Sequence, residues 1–187
     1  MKALVCKEFG PAKNLKVEEI PEPVLNDDEV NIKVHAAGVN FPDILMVEGK
    51  YQFKPNFPFA PGAEAAGEII SLGKNVTDFK VGQRVIAMTG HGSFAEIVKA
   101  PQKKIIPLSD NVDYEVASIL PMVYGTSAHA LIQRGKLKNG ETLLVHGAAG
   151  GVGLAAVEIG KAMGARVIAT ASTDEKCNVA KEHGADE

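Results

Sequence analysis

The chain has 187 residues, 45% of them hydrophobic, and carries 20 Lys and Arg against 23 Asp and Glu, a net charge of −3. That length and apolar content suffice for one sizeable core or two modest ones, and the slightly acidic balance lacks the cationic field on which non-specific nucleic-acid binding depends. Cys6 and Cys177, the only cysteines, provide neither a disulfide framework nor a thiolate metal cluster, and no apolar run reaches signal-peptide or membrane-span length, so a cytoplasmic protein with no membrane partner is expected.

In chain order, residues 2–5, 15–20 and 30–39 read as strands, the last through the alternation V-N-I-K-V-H. Pro21 and Pro23 mark the connection before it. Residues 42–47, opened by a helix-compatible proline, read as a short helix. Further strands are predicted over 64–72 and 83–88, joined by the loop 73–82, and then over 93–99 and 103–106. Short strands separated by turns describe an all-β domain over residues 1–110, a small barrel or sandwich. From Val112 the pattern turns helical: residues 113–120 and, after Pro121, 122–133 carry apolar residues at helical intervals and connect the two parts over 111–140.

Residues 141–187 have a different logic. Residues 142–145 read as a strand buried on both faces. Gly147, Gly150, Gly151 and Gly153 then crowd a turn, and residues 151–163 follow with Val152, Ala155, Ala156, Ile159 and Met163 at helical spacing. Gly164 caps that helix, residues 166–170 form a second strand, and residues 174–183 a second helix. A glycine turn between strand and helix brings unpaired N–H groups and a favourable dipole to a pyrophosphate. The dinucleotide pattern G-x-G-x-x-G falls on Ala148, Gly150 and Gly153, with alanine in its first place. Backbone N–H groups of Ala149, Gly150, Gly151 and Val152 are the expected pyrophosphate donors; a tight turn without a ligand is the alternative.

A NAD site carries an Asp or Glu about 20 residues beyond the glycines. Here Ala171, Ser172 and Thr173 occupy that place, and Lys176 supplies a positive charge one turn on. Ser172 and Lys176 are therefore expected to hold a 2′-phosphate, making the cofactor NADPH. Asp174, slightly out of register, reads as a first-turn helix acid. The chain ends before any third strand is expected, so it holds less than the first half of a dinucleotide fold and reads as an incomplete enzyme.

Four ordered motifs, G-V-N-F-P-D (38–43), P-G-A-E-A-A-G (61–67), V-G-Q-R-V (81–85) and G-S-F-A-E (92–96), followed by H-G-A-A-G-G-V-G, resemble the medium-chain dehydrogenase/reductase superfamily, and within it the zinc-independent quinone oxidoreductase branch. The resemblance implies an α/β plus all-β chain: an N-terminal GroES-like β-barrel domain, then the first part of a Rossmann dinucleotide-binding domain, with the active site in the cleft between them. Zinc alcohol dehydrogenases of that superfamily have cysteine where Asn40 stands and histidine where Ala63 stands, so no metal is expected. The five histidines show no ligand spacing.

Without a Lewis acid, hydride addition suits a quinone or an activated, conjugated C=C, whose product anion is already delocalised. An NADPH-dependent reductase of a small-molecule quinone or enone is the expected function. Reduction of conjugated acids or thioesters, of enoyl or haloacrylate type, and a non-catalytic, crystallin-like NADPH-binding role are the alternatives. By resemblance Asn40 faces the nicotinamide side, its amide bonding cofactor or substrate oxygen, and otherwise serves as a turn residue. Asp43 orients a ribose or water, or is a helix first-turn acid. Tyr51 orients substrate, or is a packed loop aromatic. Tyr124, Gly125 and Thr126 lie where family members contact the nicotinamide half, Thr126 being the favoured contact. Glu64 stands where the family keeps a carboxylate, with no role assigned. A homodimer is expected of the full-length chain.

Overall fold

Val30, Ile32 and Val34 alternate with Asn31, Lys33 and His35, and the chain responds as a period of two requires. In this computed structural model, which describes residues 1–187, they form β3 (Glu29–Ala37) at the heart of an antiparallel sheet. The sheet adds β4 (Glu64–Leu72), β5 (Arg84–Met88), β6 (Ile97–Pro101) and β7 (Ile105–Pro107) in the order β6-β3-β4-β5-β7. Val30, Ile32, Ile69, Val85, Val98 and Ile105 make one buried cluster, each large side chain contributing about 1.5–3 kcal/mol by leaving water. A separate ladder of β1 (Lys2–Val5) and β2 (Lys16–Glu19) packs Ala3 and Val5 against Ala60 in a second cluster, and is tied on by the Leu4 N–H to the Phe94 carbonyl at 2.8 Å and the Glu96 N–H to the Lys2 carbonyl at 3.0 Å. This is the GroES-like β domain that the resemblance implied.

Two strand predictions shift. Of residues 93–99 only the end enters the sheet, because Ser93 and Phe94 turn their N–H groups back to the carbonyls of Gly62 and Pro61, both at 3.0 Å. Residues 102–104 form a 3-10 turn ahead of β7, and another covers residues 12–14 where no element was expected.

The chain divides into two compact units, Met1–Ile119 and Leu120–Glu187. The division falls inside α2 (Tyr114–Ala128), a single helix where Pro121 was expected to separate two. A proline within a helix removes one donor and costs about 3 kcal/mol, but need not end it when the flanking turns continue. A π-helical stretch, His129–Arg134, replaces the rest of the second predicted helix.

In the second unit β8 (Thr142–His146) and β9 (Arg166–Thr170) pair in parallel, joined by α3 (Gly151–Ala162). Val145, Val157, Val167 and Ala180 of the last helix, α4 (Asp174–Glu182), share a core with Ala148. β8 is not buried on both faces as predicted: Leu143 and Val145 point into that core, while Leu144, on the opposite face, is 52% exposed. Gly164, at φ +79°, ends α3 as predicted, in a Schellman arrangement: the Ala165 N–H reaches the Gly160 carbonyl and the Gly164 N–H the Lys161 carbonyl, both at 3.0 Å. Beyond α4 the Asp186 N–H bonds the Val167 carbonyl at 2.8 Å, and the Ala169 N–H bonds the Glu187 carbonyl at 2.7 Å, so the last residues already run along the edge of β9. No helix of the chain is long and apolar enough to cross a membrane.

Candidate functional site

The glycine turn of the second unit explains why alanine is tolerated in the first place of the pattern. The left-handed backbone falls one residue earlier, at Gly147 with φ +63°. Ala148 is therefore free to bury its methyl, and its N–H bonds the Thr170 carbonyl at 3.0 Å. Gly153 has no such latitude: a Cβ there would lie 2.5 Å from the Gly147 carbonyl oxygen and 2.8 Å from the Ala148 Cα. Its missing side chain lets α3 press against the turn. The first helical hydrogen bond runs from the Leu154 N–H to the Gly150 carbonyl at 2.8 Å, so the N–H groups of Gly151, Val152 and Gly153 project from the helix N-terminus, where an anion is favoured.

A cavity of about 460 Å³ opens at the carboxyl ends of the two parallel strands, the usual place for a ligand in such a sheet. Ala149, Gly150, Ser172 and Lys176, four of the expected cofactor contacts, line it together; Gly151 and Val152 lie beside it at the start of α3. Lys176 reaches the Ser172 hydroxyl at 3.4 Å, and its backbone N–H donates to the Thr173 hydroxyl that caps α4. Asp174 takes the first position of α4 and does not line the cavity. With an ammonium group, a hydroxyl and open amides, and with no carboxylate in its walls, the cavity fits a ligand bearing phosphates. His146 also lines it, Nδ1 lying 2.9 Å from the Thr170 hydroxyl. Sequence reasoning passed over His146, although its place at a strand's carboxyl end was the available signal.

Thr126 is exposed on α2. Its neighbour Tyr124 donates a hydroxyl hydrogen bond to Glu158 of α3, which also meets His183 Nδ1 at 2.5 Å. The Tyr124 hydroxyl, then His183, hold the Glu158 carboxyl below its ordinary range, while the same bond to Glu158 raises the Tyr124 phenol. These three side chains pin α2, α3 and the end of α4 to one another, a link absent from any local pattern.

In the first unit Asn40 begins α1 (Phe41–Val47) and Asp43 accepts the Asn40 N–H at 2.8 Å, the reciprocal bond of a capping box. Asp43 is 3% exposed and one of its oxygens, Oδ1, has no hydrogen-bond partner. Burial pushes its carboxyl up, against the backbone N–H groups of Asn40, Gly62 and Ala63. The Asn40 side chain, whose oxygen faces the Asp43 N–H in that box, also donates from Nδ2 to Glu64 Oε1 at 2.7 Å. Tyr51 is half-buried, its ring packed against Cys6, Met46, Val47 and Phe59. A zinc site would need thiolate or imidazole ligands here; an amide at residue 40 and a methyl at Ala63 supply neither, and no group of three or more His, Cys, Asp or Glu side chains is placed to share a metal ion.

Residues 26–110 match the alcohol dehydrogenase GroES-like domain, and residues 151–187 match the zinc-binding dehydrogenase family. The chain is 39% identical over 189 residues to quinone oxidoreductase of Homo sapiens, covering 100% of this chain and 57% of that protein. It is 38% identical over 185 residues to quinone oxidoreductase-like protein 2 of Rattus norvegicus, covering 98% and 52%. The quinone oxidoreductase of Thermus thermophilus, solved also in complex with NADPH, superposes with a TM-score of 0.87 at 37% identity, over 100% of this chain and 59% of that one. The chain thus spans about half the length of the curated relatives it matches. Two domain families in their proper order, on a β domain followed by a glycine-turn β-α-β unit, place the chain in the medium-chain dehydrogenase/reductase superfamily.

Proposed function

We propose that the protein binds NADPH at the glycine turn and serves a metal-free reduction of a quinone or a related activated enone. The observation that carries this reading is the cavity in which the turn's amides, the Ser172 hydroxyl and the Lys176 ammonium converge without a carboxylate. An Asp or Glu there would bond ribose hydroxyls and repel a 2′-phosphate. The N–H groups of Ala149, Gly151 and Val152 hold the pyrophosphate, and Ser172 and Lys176 the 2′-phosphate; Gly150, expected as a fourth donor, turns its N–H to the Gly147 carbonyl at 3.0 Å instead. The relatives' names and the NADPH complex of the Thermus enzyme support the same assignment.

When bound, NADPH supplies a hydride from its dihydronicotinamide. A quinone accepting that hydride becomes a hydroquinone anion and takes one proton from solvent. Its charge is spread over the ring, so the protein's task is to hold the reactants in line rather than to neutralise an alkoxide. Asn40 contacts the nicotinamide half or the substrate, Thr126 the nicotinamide half, Tyr51 orients substrate, and Asp43 fixes the start of α1 on which Asn40 stands. The homodimer and the cytoplasmic setting belong to the same proposal. Calorimetric titration of the protein with NADPH and NADH, followed by turnover on quinones and on conjugated acids and thioesters, tests it. Tighter binding of NADPH with quinone turnover is expected; a preference for NADH, or turnover only on thioesters, would overturn the respective half.

A further inference from the structure

Glu64 is the largest charged side chain sealed inside the first unit, 1% exposed. A buried carboxylate is costly unless hydrogen bonds hold it, and here the fold makes room for it deliberately. The β3–β4 ladder pairs Ala37 with Ala65, which sets the ends of the two strands, Gly38 and Glu64, side by side. A Cβ on Gly38 would come within 2.4 Å of Glu64 Oε1 and 2.9 Å of the Ser118 carbonyl oxygen. Residue 38 is thus glycine because the carboxylate occupies the space. That same oxygen receives the Asn40 amide.

A carboxylate accepts hydrogen bonds and does not donate them, so it selects one of the two orientations of a neighbouring amide. We infer that Glu64 is a positioning residue, which accepts the Asn40 Nδ2–H and so fixes the side chain of a residue that itself touches the reactants. The inference rests on the proposed role of Asn40 and adds what holds its side chain in place.

The test is a double-mutant cycle on Asn40→Ala and Glu64→Gln in the full chain, read as NADPH dissociation constant, kcat and KM with a benzoquinone acceptor, and thermal midpoint. Glutamine keeps the shape of Glu64 but lets the Asn40 amide take either orientation. Each single variant is expected to lose about tenfold in kcat/KM, the scale of one charge-assisted hydrogen bond, and the double variant to fall no further than Asn40→Ala. A loss at Asn40→Ala with wild-type kinetics in Glu64→Gln, or a double variant down by the product of the two losses, overturns the positioning role and leaves the reading of Asn40 standing. Wild-type kinetics in Asn40→Ala instead overturns that reading and the inference with it. A measurement on the unaltered protein covers the case in which Glu64→Gln unfolds: the side-chain N–H signals of Asn40 are expected to be protected from solvent exchange, and rapid exchange would refute the bond to Glu64.

Discussion

Replacing Gly153 by alanine tests whether the glycine turn is shaped for a ligand or merely for a bend. The added methyl would sit 2.5 Å from the Gly147 carbonyl oxygen and 2.8 Å from the Ala148 Cα. Both are backbone atoms and cannot swing aside, so α3 must retreat by about 1 Å to restore ordinary contact. That retreat is resisted further along the helix, where Val157 is fully buried and a Cβ on Gly160 would meet Leu143 at 2.5 Å. Overpacking of this kind costs about 1–3 kcal/mol, roughly 3–10 °C in thermal midpoint for a chain of this size. The same shift carries the N–H groups of Gly151–Gly153 beyond hydrogen-bond reach of a phosphate, and losing two charge-assisted bonds weakens NADPH binding by about a hundredfold or more. Gly150→Ala is the control, since its Cβ would find nothing nearer than 3.5 Å and its φ of −82° suits any residue. It is expected to keep the thermal midpoint while the methyl, on the cavity wall, lowers NADPH affinity. Thermal unfolding and calorimetric titration of the two variants decide the matter; a Gly153→Ala protein with wild-type midpoint and wild-type NADPH affinity would refute the reasoning.

Lys176→Ala is expected to weaken NADPH binding roughly tenfold at low salt while leaving NADH unchanged, and added salt to shrink the difference; parallel titrations with both nucleotides measure it. Because the folded Glu158 carboxyl is held low by Tyr124 and His183, its contribution is present above the unfolded value of about 4.3 and vanishes as pH falls through the folded value. Glu158→Gln should therefore lower the thermal midpoint at neutral pH, by less than the equivalent of about 1 kcal/mol for so accessible a pair, and the gap to wild type should close in acid. Asp43 works in the opposite sense. Its folded carboxyl is raised by burial, so its share of stability is fully present below the unfolded value of about 3.9 and declines as pH rises through the folded value. Thermal midpoints of wild type and Asp43→Asn across that range should show wild type gaining on the variant as pH falls.

The parts of the fold legible in the sequence are those fixed by local chemistry. The strand over residues 64–72 and the strand over 166–170 came out with their observed ends, because β-branched or apolar runs are bracketed there by proline or glycine segments. Pro121 misled for the same reason: the rule that proline ends a helix is local, whereas this helix carries on through it into a π-helical stretch. The double burial expected of β8 failed because apolar composition reports what a strand can pack against, not what covers it; Leu144 is as apolar as Leu143 and half exposed. In the nucleotide cavity the glycine spacing and the Ser172 and Lys176 positions were readable, being strand ends and helix starts. The Asn40–Glu64 bond joins residues 24 apart and the Tyr124–Glu158–His183 link spans three elements. Neither has a spacing that any local pattern would single out.

A carboxylate sealed beside residues 40 and 63, neither of which is a metal ligand here, must be balanced by hydrogen bonds. Glu64 needs partners to remain there, and the amide of Asn40 is one of them. Asparagine at residue 40 therefore does two things at once: it offers no thiolate or imidazole to a metal, and it supplies a donor that a sealed carboxylate requires. Asn40→Asp sharpens the argument, because it keeps the size of the side chain but sets a second carboxylate against Glu64. The variant should lose both stability and activity, and adding Glu64→Gln, which restores a donor between the two, should recover the thermal midpoint but not kcat/KM. Recovery of activity along with stability would mean that the pair matters only for packing.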